Sequence, residues 1–266
     1  MKNLLKIFVS KNKRNVITRQ TSLPDEMQQK LRLWYTTSLG VSLAKEESHE
    51  LASVLPAFFG YHCLQIGYTH APDYFVASPI RHKVVMDLDL SHGGQGSVQF
   101  YSKPEVLAVA TDSVDLVLLP HTLELNADPH EVLRESDRVL VPEGRLVIIG
   151  FNPWSFWGIR HMFSRHSGEV PWCGRFISLM RLKDWLALLG FEIESAKTFF
   201  YRLPMASEHI SKRQPLFHRI GRKFWPAFGG TYILVARKRV TTLTPIRPRW
   251  RRRRAFINPG LVETRQ

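Results

Sequence analysis

The amino-acid sequence predicts an α/β domain with a mostly parallel sheet, and three observations support this fold class. Four short runs are almost wholly apolar, as is typical of strands covered on both faces: residues 63–67, 83–87, 114–119 and 145–149. A helix with a clear beginning and end separates the third run from the fourth, which gives a strand–helix–strand unit. The chain has 266 residues, 44% of them hydrophobic, so it can bury a large core without disulfides or metals.

The residues before the first strand are predicted to form a basic arm and two helices. The arm covers residues 1–24, and a helix is expected from Asp25 to about Leu39. The second helix is expected to begin at Ser42, whose hydroxyl can cap it, because apolar residues then recur at helical spacing. The first apolar strand follows at Cys63.

The later elements are recognised mainly by the residues at their ends. The helix of the strand–helix–strand unit has Asp128 as its N-cap, Pro129 in its first turn and Glu131 as the second member of a capping box. Pro142-Glu143-Gly144 is predicted to turn the chain into the fourth run. Another helix is expected over residues 178–189, and strands over 191–196 and 232–236 flank a basic insertion at 203–229. The predicted domain covers residues 25–240, and a disordered tail covers 241–266.

Positive charge is concentrated at the two ends of the chain. The formal net charge is +14, yet residues 21–236 are close to neutral. The C-terminal tail carries six arginines between Arg247 and Arg254, around Trp250. Such a tail can bind nucleic acid by neutralising phosphates and stacking on a base, can bind an anionic membrane surface, or can be solvated without a dedicated partner. Composition leaves these three alternatives open.

The cellular compartment is predicted from the cysteines and from the apolar runs. Two cysteines, Cys63 and Cys173, cannot form a disulfide scaffold, so a reducing cytoplasm is expected. No apolar run reaches the ~18 residues of a transmembrane helix. The apolar stretch near the N-terminus is short and interrupted by Lys6, so no signal peptide is predicted.

The second half of the chain resembles a known enzyme family. The segments DSVDLVLLPHTLE at 112–124, DPHEVLRE at 128–135 and RVLVPEGRLVI at 138–148 are similar to the fourth strand, fourth helix and fifth strand of class I S-adenosylmethionine-dependent methyltransferases of the type 11-like kind. LKDWL at 182–186 and LGFE at 189–192 resemble that family's fifth helix and sixth strand, and FNPW at 151–154 is similar to a poorly characterised bacterial branch. The resemblance covers residues 42–238. It implies a Rossmann-like sheet of seven strands with helices on both faces and one reversed strand.

The resemblance also implies where S-adenosylmethionine would bind. The family's G-x-G-x-G loop corresponds to Gly67-Tyr68-Thr69-His70-Ala71, in which only the first glycine is present. The residues expected to bind the cofactor are Gly67, Tyr68, Asp87 on the ribose hydroxyls, Glu105 as a weak substitute on the adenine side, and Pro120. Asp89 competes with Asp87 for the ribose role, and a solvated carboxylate is the alternative for both. Residues 88–97, with three glycines, are too short for the family's usual helix.

Two residues near strand ends are candidates for the chemistry. His121 is the best-placed general base, and the alternative is a histidine packed at a strand end. Asn152 could orient the substrate, whereas Pro153, Trp154, Phe156 and Trp157 are expected to form an apolar lid or core. No zinc motif, Walker A loop or nucleophile elbow is present in the sequence.

The leading hypothesis is a methyltransferase that uses S-adenosylmethionine and transfers its methyl group to an unknown acceptor. The alternative is a catalytically lapsed binding protein of the same fold, with nucleic acid as a partner through the basic ends. The incomplete glycine loop is the observation that keeps this alternative open.

Overall fold

A computed structural model describes residues 23–67, 74–87, 98–164, 169–204 and 225–240. Several predictions fall outside these ranges: most of the basic arm, Tyr68 and His70 in the loop after the first strand, Asp89 and the glycines of residues 88–97, the centre of the basic insertion, and the tail that contains Arg247–Arg254. Among the described residues, none of the helices combines the length and the apolar character that a membrane span requires.

Seven strands form one sheet, as the resemblance implied. The strands are β1 (His62–Ile66), β2 (His82–Asp87), β3 (Val98–Tyr101), β4 (Val114–Pro120), β5 (Leu140–Phe151), β6 (Phe191–Phe199) and β7 (Thr231–Lys238). Their order is β3-β2-β1-β4-β5-β7-β6, and β7 runs antiparallel to both of its neighbours. The prediction of a mostly parallel sheet with one reversed strand is therefore confirmed, and β3 is the strand that no apolar run marked.

Helices cover both faces of this sheet. They are α1 (Leu23–Tyr35), α2 (Ser38–Val54), α3 (Thr122–Leu125), α4 (Pro129–Val139), α5 (Phe156–Ser164) and α6 (Leu179–Leu188), with short 3-10 turns at Leu55–Ala57 and Pro226–Phe228. One core packs α1, α2 and α5 on one face of the strands. The other core packs α4 and α6 on the opposite face. Because both faces are covered, the central strands need apolar residues on both sides, which explains the continuous apolar runs.

The structure corrects the start of the second helix. It begins at Ser38 instead of Ser42, because the hydroxyl of Thr37 accepts a hydrogen bond from the Gly40 amide at 3.2 Å and caps the first turn. Gly40 also lets this turn lie against α1, since a Cβ atom on it would lie 2.4 Å from the carbonyl oxygen of Trp34. The connection between α1 and α2 is therefore only two residues long.

The N-cap of α4 is confirmed, whereas the rest of its capping box is not. The Asp128 carboxylate accepts hydrogen bonds from the amides of His130 at 3.0 Å and Glu131 at 3.3 Å. The Glu131 side chain pairs with Arg134 instead of returning to the cap, and the Asp128 amide donates to Asn126 Oδ1 at 3.2 Å. The Asn126 side chain thus accepts the hydrogen bond of the N-cap amide, which in a capping box goes to the glutamate side chain.

The predicted turn at residues 142–144 lies inside β5. This strand begins at Leu140, directly after α4, and Leu140 pairs with Val114 of β4. The register then shifts, so that Leu116 pairs with Arg145 and the intervening residues bulge out of the ladder. Glu143 takes a φ of 65°, which accommodates the bend. The turn residues therefore bend one strand instead of separating two elements.

Candidate functional site

The carboxyl ends of β1, β2 and β4 meet at one edge of the sheet. The Gly67 amide, just after β1, donates to the Met86 carbonyl of β2 at 2.9 Å. The hydroxyl of Thr122, just after β4, donates to the carbonyl of Ile66 in β1. The His121 amide donates to the Ile149 carbonyl of β5 at 2.9 Å. In open α/β sheets this edge is where ligands bind, and we call it the carboxyl edge.

Gly67 is required by its backbone and by its surroundings. Its φ is +90°, a conformation that residues with a side chain rarely adopt. A Cβ atom at this position would lie 2.9 Å from Thr122 Oγ1, which is too close for ordinary contact. The turn after β1 thus needs glycine for its shape, and the role of Gly67 in cofactor binding stays a prediction.

Asp87 is buried at the end of β2 and is paired with an arginine from α1. Its side chain is 2% exposed, and its Oδ2 forms an ion pair with Arg32 Nη2. The two residues lie 55 positions apart in the sequence. A buried carboxylate without a partner would be costly, and the Arg32 guanidinium supplies that partner at the carboxyl edge. The competing residue, Asp89, lies outside the described ranges.

A second side chain of α1 reaches the turn after β1. The amide nitrogen of Gln28 lies 3.8 Å from the position that a Cβ atom on Gly67 would occupy. Its Oε1 is buried and has no hydrogen-bond partner within the described ranges. Buried acceptors are nearly always satisfied in native proteins. Gln28 therefore presents an acceptor that no described residue uses, beside the residue that begins the predicted cofactor loop.

Glu105 and Pro120 lie near the same edge. Tyr101, the last residue of β3, pairs with Asp87, and Glu105 follows four positions later in a turn closed by the Val106 amide and the Lys103 carbonyl at 3.0 Å. The Glu105 side chain is half-buried. Pro120 is buried at the end of β4, where it pairs with Ile149. The structure thus brings Gly67, Asp87 and Pro120 together and places Glu105 beyond β3.

His121 is enclosed between two glutamates. Its Nε2 lies 2.8 Å from Glu47 Oε1, and its Nδ1 lies 2.9 Å from Glu124 Oε2. The hydroxyls of Tyr35 and Tyr74 donate to the Glu47 carboxylate at 3.1 Å and 2.6 Å. All of these side chains are buried. We call these five residues the His121 network.

Electrostatics make the His121 ring a cation. Burial lowers its pKa, but the charges of Glu124 and Glu47 and the hydrogen bonds to them outweigh burial and raise the pKa to about 10. Both ring nitrogens therefore donate to carboxylates at neutral pH. Burial, followed by the Glu47 charge, raises the pKa of Tyr35 well above its ordinary value, so Tyr35 remains a donor.

The Asn152 side chain is fully engaged by the backbone. Its Nδ2 donates to the carbonyls of Ala227 at 2.8 Å and Gly229 at 2.9 Å, and its Oδ1 accepts from the Trp154 amide at 3.1 Å. These bonds tie the end of β5 to the segment before β7. The role of Asn152 toward a substrate stays a prediction, and its contacts are those of a positioning residue.

The apolar residues after β5 divide into two groups. Trp157 is buried and stacks on Phe151 with ring centroids 5.6 Å apart, so it belongs to the core. Trp154 and Phe156 are exposed at the surface, and Pro153 is half-buried. The expected core position is therefore confirmed for Trp157, whereas a lid formed by Trp154 and Phe156 stays a prediction.

The partners of these residues are only weakly indicated in the sequence. His121 and Glu124 are three positions apart at the start of a short helix, a spacing that brings side chains together. Nothing local distinguished Gln28, Arg32 or Glu47 from the other polar residues of α1 and α2. Their contacts depend on how these helices pack across the sheet.

A cavity of about 910 Å³ lies apart from the predicted residues, between α2 and β6. Its lining includes Lys45, His49 and Lys197, and Lys197 forms an ion pair with Glu50 there. It contains none of the residues predicted to bind cofactor or substrate. The predicted chemistry is at the carboxyl edge instead.

Comparison with known proteins identifies the family. A family profile described as "Methyltransferase domain" matches residues 84–148. The chain is 35% identical over 233 residues to the uncharacterized protein YafS of Escherichia coli K12. The aligned region covers 88% of this chain and 91% of that protein. It is 31% identical over 99 residues to demethylmenaquinone methyltransferase of Chlamydia pneumoniae, covering 35% of this chain and 42% of that protein.

Solved structures agree with this assignment at the level of the fold. A methyltransferase dependent on S-adenosylmethionine from Thermotoga maritima has a TM-score of 0.55 at 17% identity, covering 74% of this chain and 89% of that one. One from Archaeoglobus fulgidus has a TM-score of 0.51 at 18% identity, covering 73% and 94%. The chain belongs to the class I S-adenosylmethionine-dependent methyltransferase family.

Proposed function

We propose that this protein binds S-adenosylmethionine at the carboxyl edge and transfers its methyl group to an acceptor. The observation that carries the proposal is the buried Asp87 carboxylate at the end of β2, next to the glycine turn that follows β1. The family supports the reaction class, and the acceptor is left unassigned.

The residues at this edge fit such a cofactor. A nucleoside offers ribose hydroxyl donors, and Asp87 is a charged acceptor for them. The Oε1 of Gln28, which has no partner among the described residues, is a further acceptor for an amino or hydroxyl group beside Gly67. Because Gly67 has no side chain, its backbone can adopt the positive φ that this turn requires. Glu105, Tyr68 and Pro120 are the other residues predicted to bind the cofactor.

When bound, S-adenosylmethionine supplies a methyl carbon on a positively charged sulfur, open to in-line attack by an electron pair of the acceptor. The residues of the chain itself bind the cofactor and orient it. Arg32 pairs with the Asp87 carboxylate and holds it in place, so the carboxylate is preorganised for hydrogen bonds. Gly67 gives the turn after β1 its shape, and Gln28 lies beside it.

We propose a positioning role for His121 in place of the predicted role as base. A base needs an unprotonated nitrogen that faces its substrate, whereas both nitrogens of His121 donate to buried glutamates. The ring instead links Glu47 of α2 to Glu124 of α3 just after β4. It thereby fixes the turn beside Pro120, and proton removal from the acceptor is left to solvent or to the acceptor's own acidity.

Calorimetric titration with S-adenosylmethionine and with S-adenosylhomocysteine tests the cofactor site. The wild type is expected to bind both, and Asp87→Asn is expected to bind at least tenfold more weakly, because a charge-assisted hydrogen bond contributes about 1.5–3 kcal/mol. Asp184→Asn is the matched control, since Asp184 is exposed on α6, far from the edge.

Loss of the ion pair must be separated from loss of the ligand contact. Arg32→Gln removes the cation but keeps the carboxylate, so it is expected to retain more affinity than Asp87→Asn when thermal melts show that both variants fold. Equal binding by the wild type and Asp87→Asn would refute the proposed ribose role. No binding by the folded wild type would favour the alternative of a lapsed binding protein.

A further inference from the structure

The turn between β4 and α3 is held in an unusual conformation. His121 has a φ of 53°, in the left-handed region that a residue with a side chain adopts only at a cost. Its amide donates to the Ile149 carbonyl at 2.9 Å, and its ring lies between Glu47 and Glu124. Such a conformation persists only where its surroundings determine it, and it is common at functional sites. The next residue, Thr122, is therefore fixed in place at the carboxyl edge.

The Thr122 side chain continues the hydrogen bonding between β4 and β1. The paired positions of these two strands end at Gln65 and Leu118. The buried Thr122 hydroxyl then donates to the carbonyl of Ile66, one residue beyond the last pair. The Pro120 carbonyl lies farther from the same hydroxyl, at 3.4 Å. A side chain thus joins the two strands at the point where their backbone ladder has ended.

Gly67 packs directly against this hydroxyl. A Cβ atom on Gly67 would lie 2.9 Å from Thr122 Oγ1 and 3.8 Å from Thr122 Cβ, so the missing side chain makes room for the threonine. The Gly67 amide donates to the Met86 carbonyl at 2.9 Å, and the Gly67 carbonyl accepts from Gln65 Nε2 at 3.0 Å. Those two bonds hold the turn to β1 and β2, and Thr122 adds a link to β4.

We propose that Thr122 is a positioning residue for cofactor binding, because its hydroxyl fixes the turn at Gly67 relative to the end of β4. This inference rests on the proposed function and adds to it a residue that acts through the turn. Gly67 and Asp87 lie on one side of the predicted site and Pro120 on the other, and the hydroxyl joins these two sides. A ligand that contacts both sides binds more tightly when their spacing is set before it arrives.

Two substitutions at Thr122 separate the hydroxyl from the rest of the side chain. Thr122→Ser keeps the hydroxyl, whereas Thr122→Val replaces it with a methyl group of similar size. In calorimetric titration with S-adenosylmethionine, Thr122→Ser is expected to bind within about twofold of the wild type and Thr122→Val about tenfold more weakly. If the hydroxyl only stabilised the fold, Thr122→Val would lower the urea midpoint and leave the affinity of the folded protein unchanged.

Ser136→Ala is the matched control. Ser136 is fully buried in α4, and its hydroxyl donates to the Val132 carbonyl at 2.7 Å. Its loss is expected to lower the urea midpoint without changing the affinity. Equal affinity of the wild type and folded Thr122→Val would overturn the proposal, and so would equally weak binding by Thr122→Val and Thr122→Ser. If Thr122→Val does not fold, Thr122→Ala replaces it, because alanine removes the hydroxyl without placing a methyl group beside Gly67.

Amide hydrogen exchange without ligand distinguishes this inference from the proposed function. Peptides that cover residues 62–67 are expected to exchange faster in Thr122→Val, because the turn opens more often, and to exchange as in the wild type in Thr122→Ser and Ser136→Ala. Unchanged exchange in Thr122→Val, together with wild-type binding of S-adenosylmethionine, would refute the inference and keep the proposed function. A wild type that binds no S-adenosylmethionine but shows the expected exchange pattern would refute the proposed function and support the hold of Thr122 on the turn.

Discussion

The His121 network is expected to make the protein less stable as pH rises from neutral to alkaline. The pKa of His121 is about 10 in the folded chain, against an ordinary value of 6.5. Because the folded value is the higher one, the stabilisation is fully present below pH about 6.5 and is lost as pH rises through about 10. Between pH about 6.5 and about 10, the free energy of unfolding is expected to fall by about 5 kcal/mol. The part of this loss that falls between pH 7 and 9 is about 2–3 kcal/mol.

Urea unfolding at pH 7, 8 and 9 measures this effect when the wild type is compared with His121→Gln. At pH 7 the variant is expected to be less stable by about 3–5 kcal/mol, since two buried glutamates lose their cation. The difference should narrow toward pH 9, where His121 of the unfolded wild type is neutral. His130→Gln is the control, because His130 is exposed and its ring contacts Trp185.

The unfolding measurements end at pH 9 because tyrosine ionisation would affect stability at higher pH. Burial raises the pKa of Tyr35 and of Tyr232, so ionisation of tyrosines in the unfolded chain near pH 10 would add a second loss of stability. A difference between wild type and His121→Gln that stays constant from pH 7 to 9 would refute the reasoning. If the variant does not fold, NMR of the wild-type ring decides, because a ring that titrates near pH 6.5 would contradict the buried cation.

Three further substitutions test the packing around the site. Gly67→Ala is expected to cost about 1–2 kcal/mol of stability through its positive φ, and to weaken S-adenosylmethionine binding in calorimetry; unchanged stability would show that the turn adapts. Asp128→Ala should cost about 1 kcal/mol in urea unfolding by removing the α4 cap, with cofactor affinity unchanged. Trp157→Ala should cost about 3–5 kcal/mol, and a loss below about 1 kcal/mol would mean that α5 is not anchored by this ring.

Much of the fold could be predicted because its second half obeys local rules. The central strands are covered on both faces and so read as continuous apolar runs, and α4 carries its N-cap in the sequence. β3 was not predicted from the sequence because it is a short strand at the edge of the sheet. The register shift in β5 was not predicted because proline and glycine, as in Pro142-Glu143-Gly144, are ordinary turn signals.

The site was predicted only in part, because its side chains are completed by contacts that are distant in sequence. Gly67 follows β1 and Asp87 ends β2, and the carboxyl ends of these strands meet at a known edge. Arg32 reaches Asp87 across 55 positions, and Glu47 reaches His121 across 74. No periodicity or spacing encodes such pairs. They arise when α1 and α2 pack on the sheet.

This dependence on α1 bears directly on the incomplete glycine loop. A loop with one glycine offers fewer places where backbone amides can approach a ligand closely. At the same carboxyl edge, α1 brings the guanidinium of Arg32 to Asp87 and the amide of Gln28 to Gly67. Side chains from a preceding helix thus supply polar groups beside the turn that carries the loop. Those groups come from outside the glycine motif, so the number of glycines does not determine whether a ligand binds there. The affinities of Arg32→Gln and Asp87→Asn for S-adenosylmethionine test this directly.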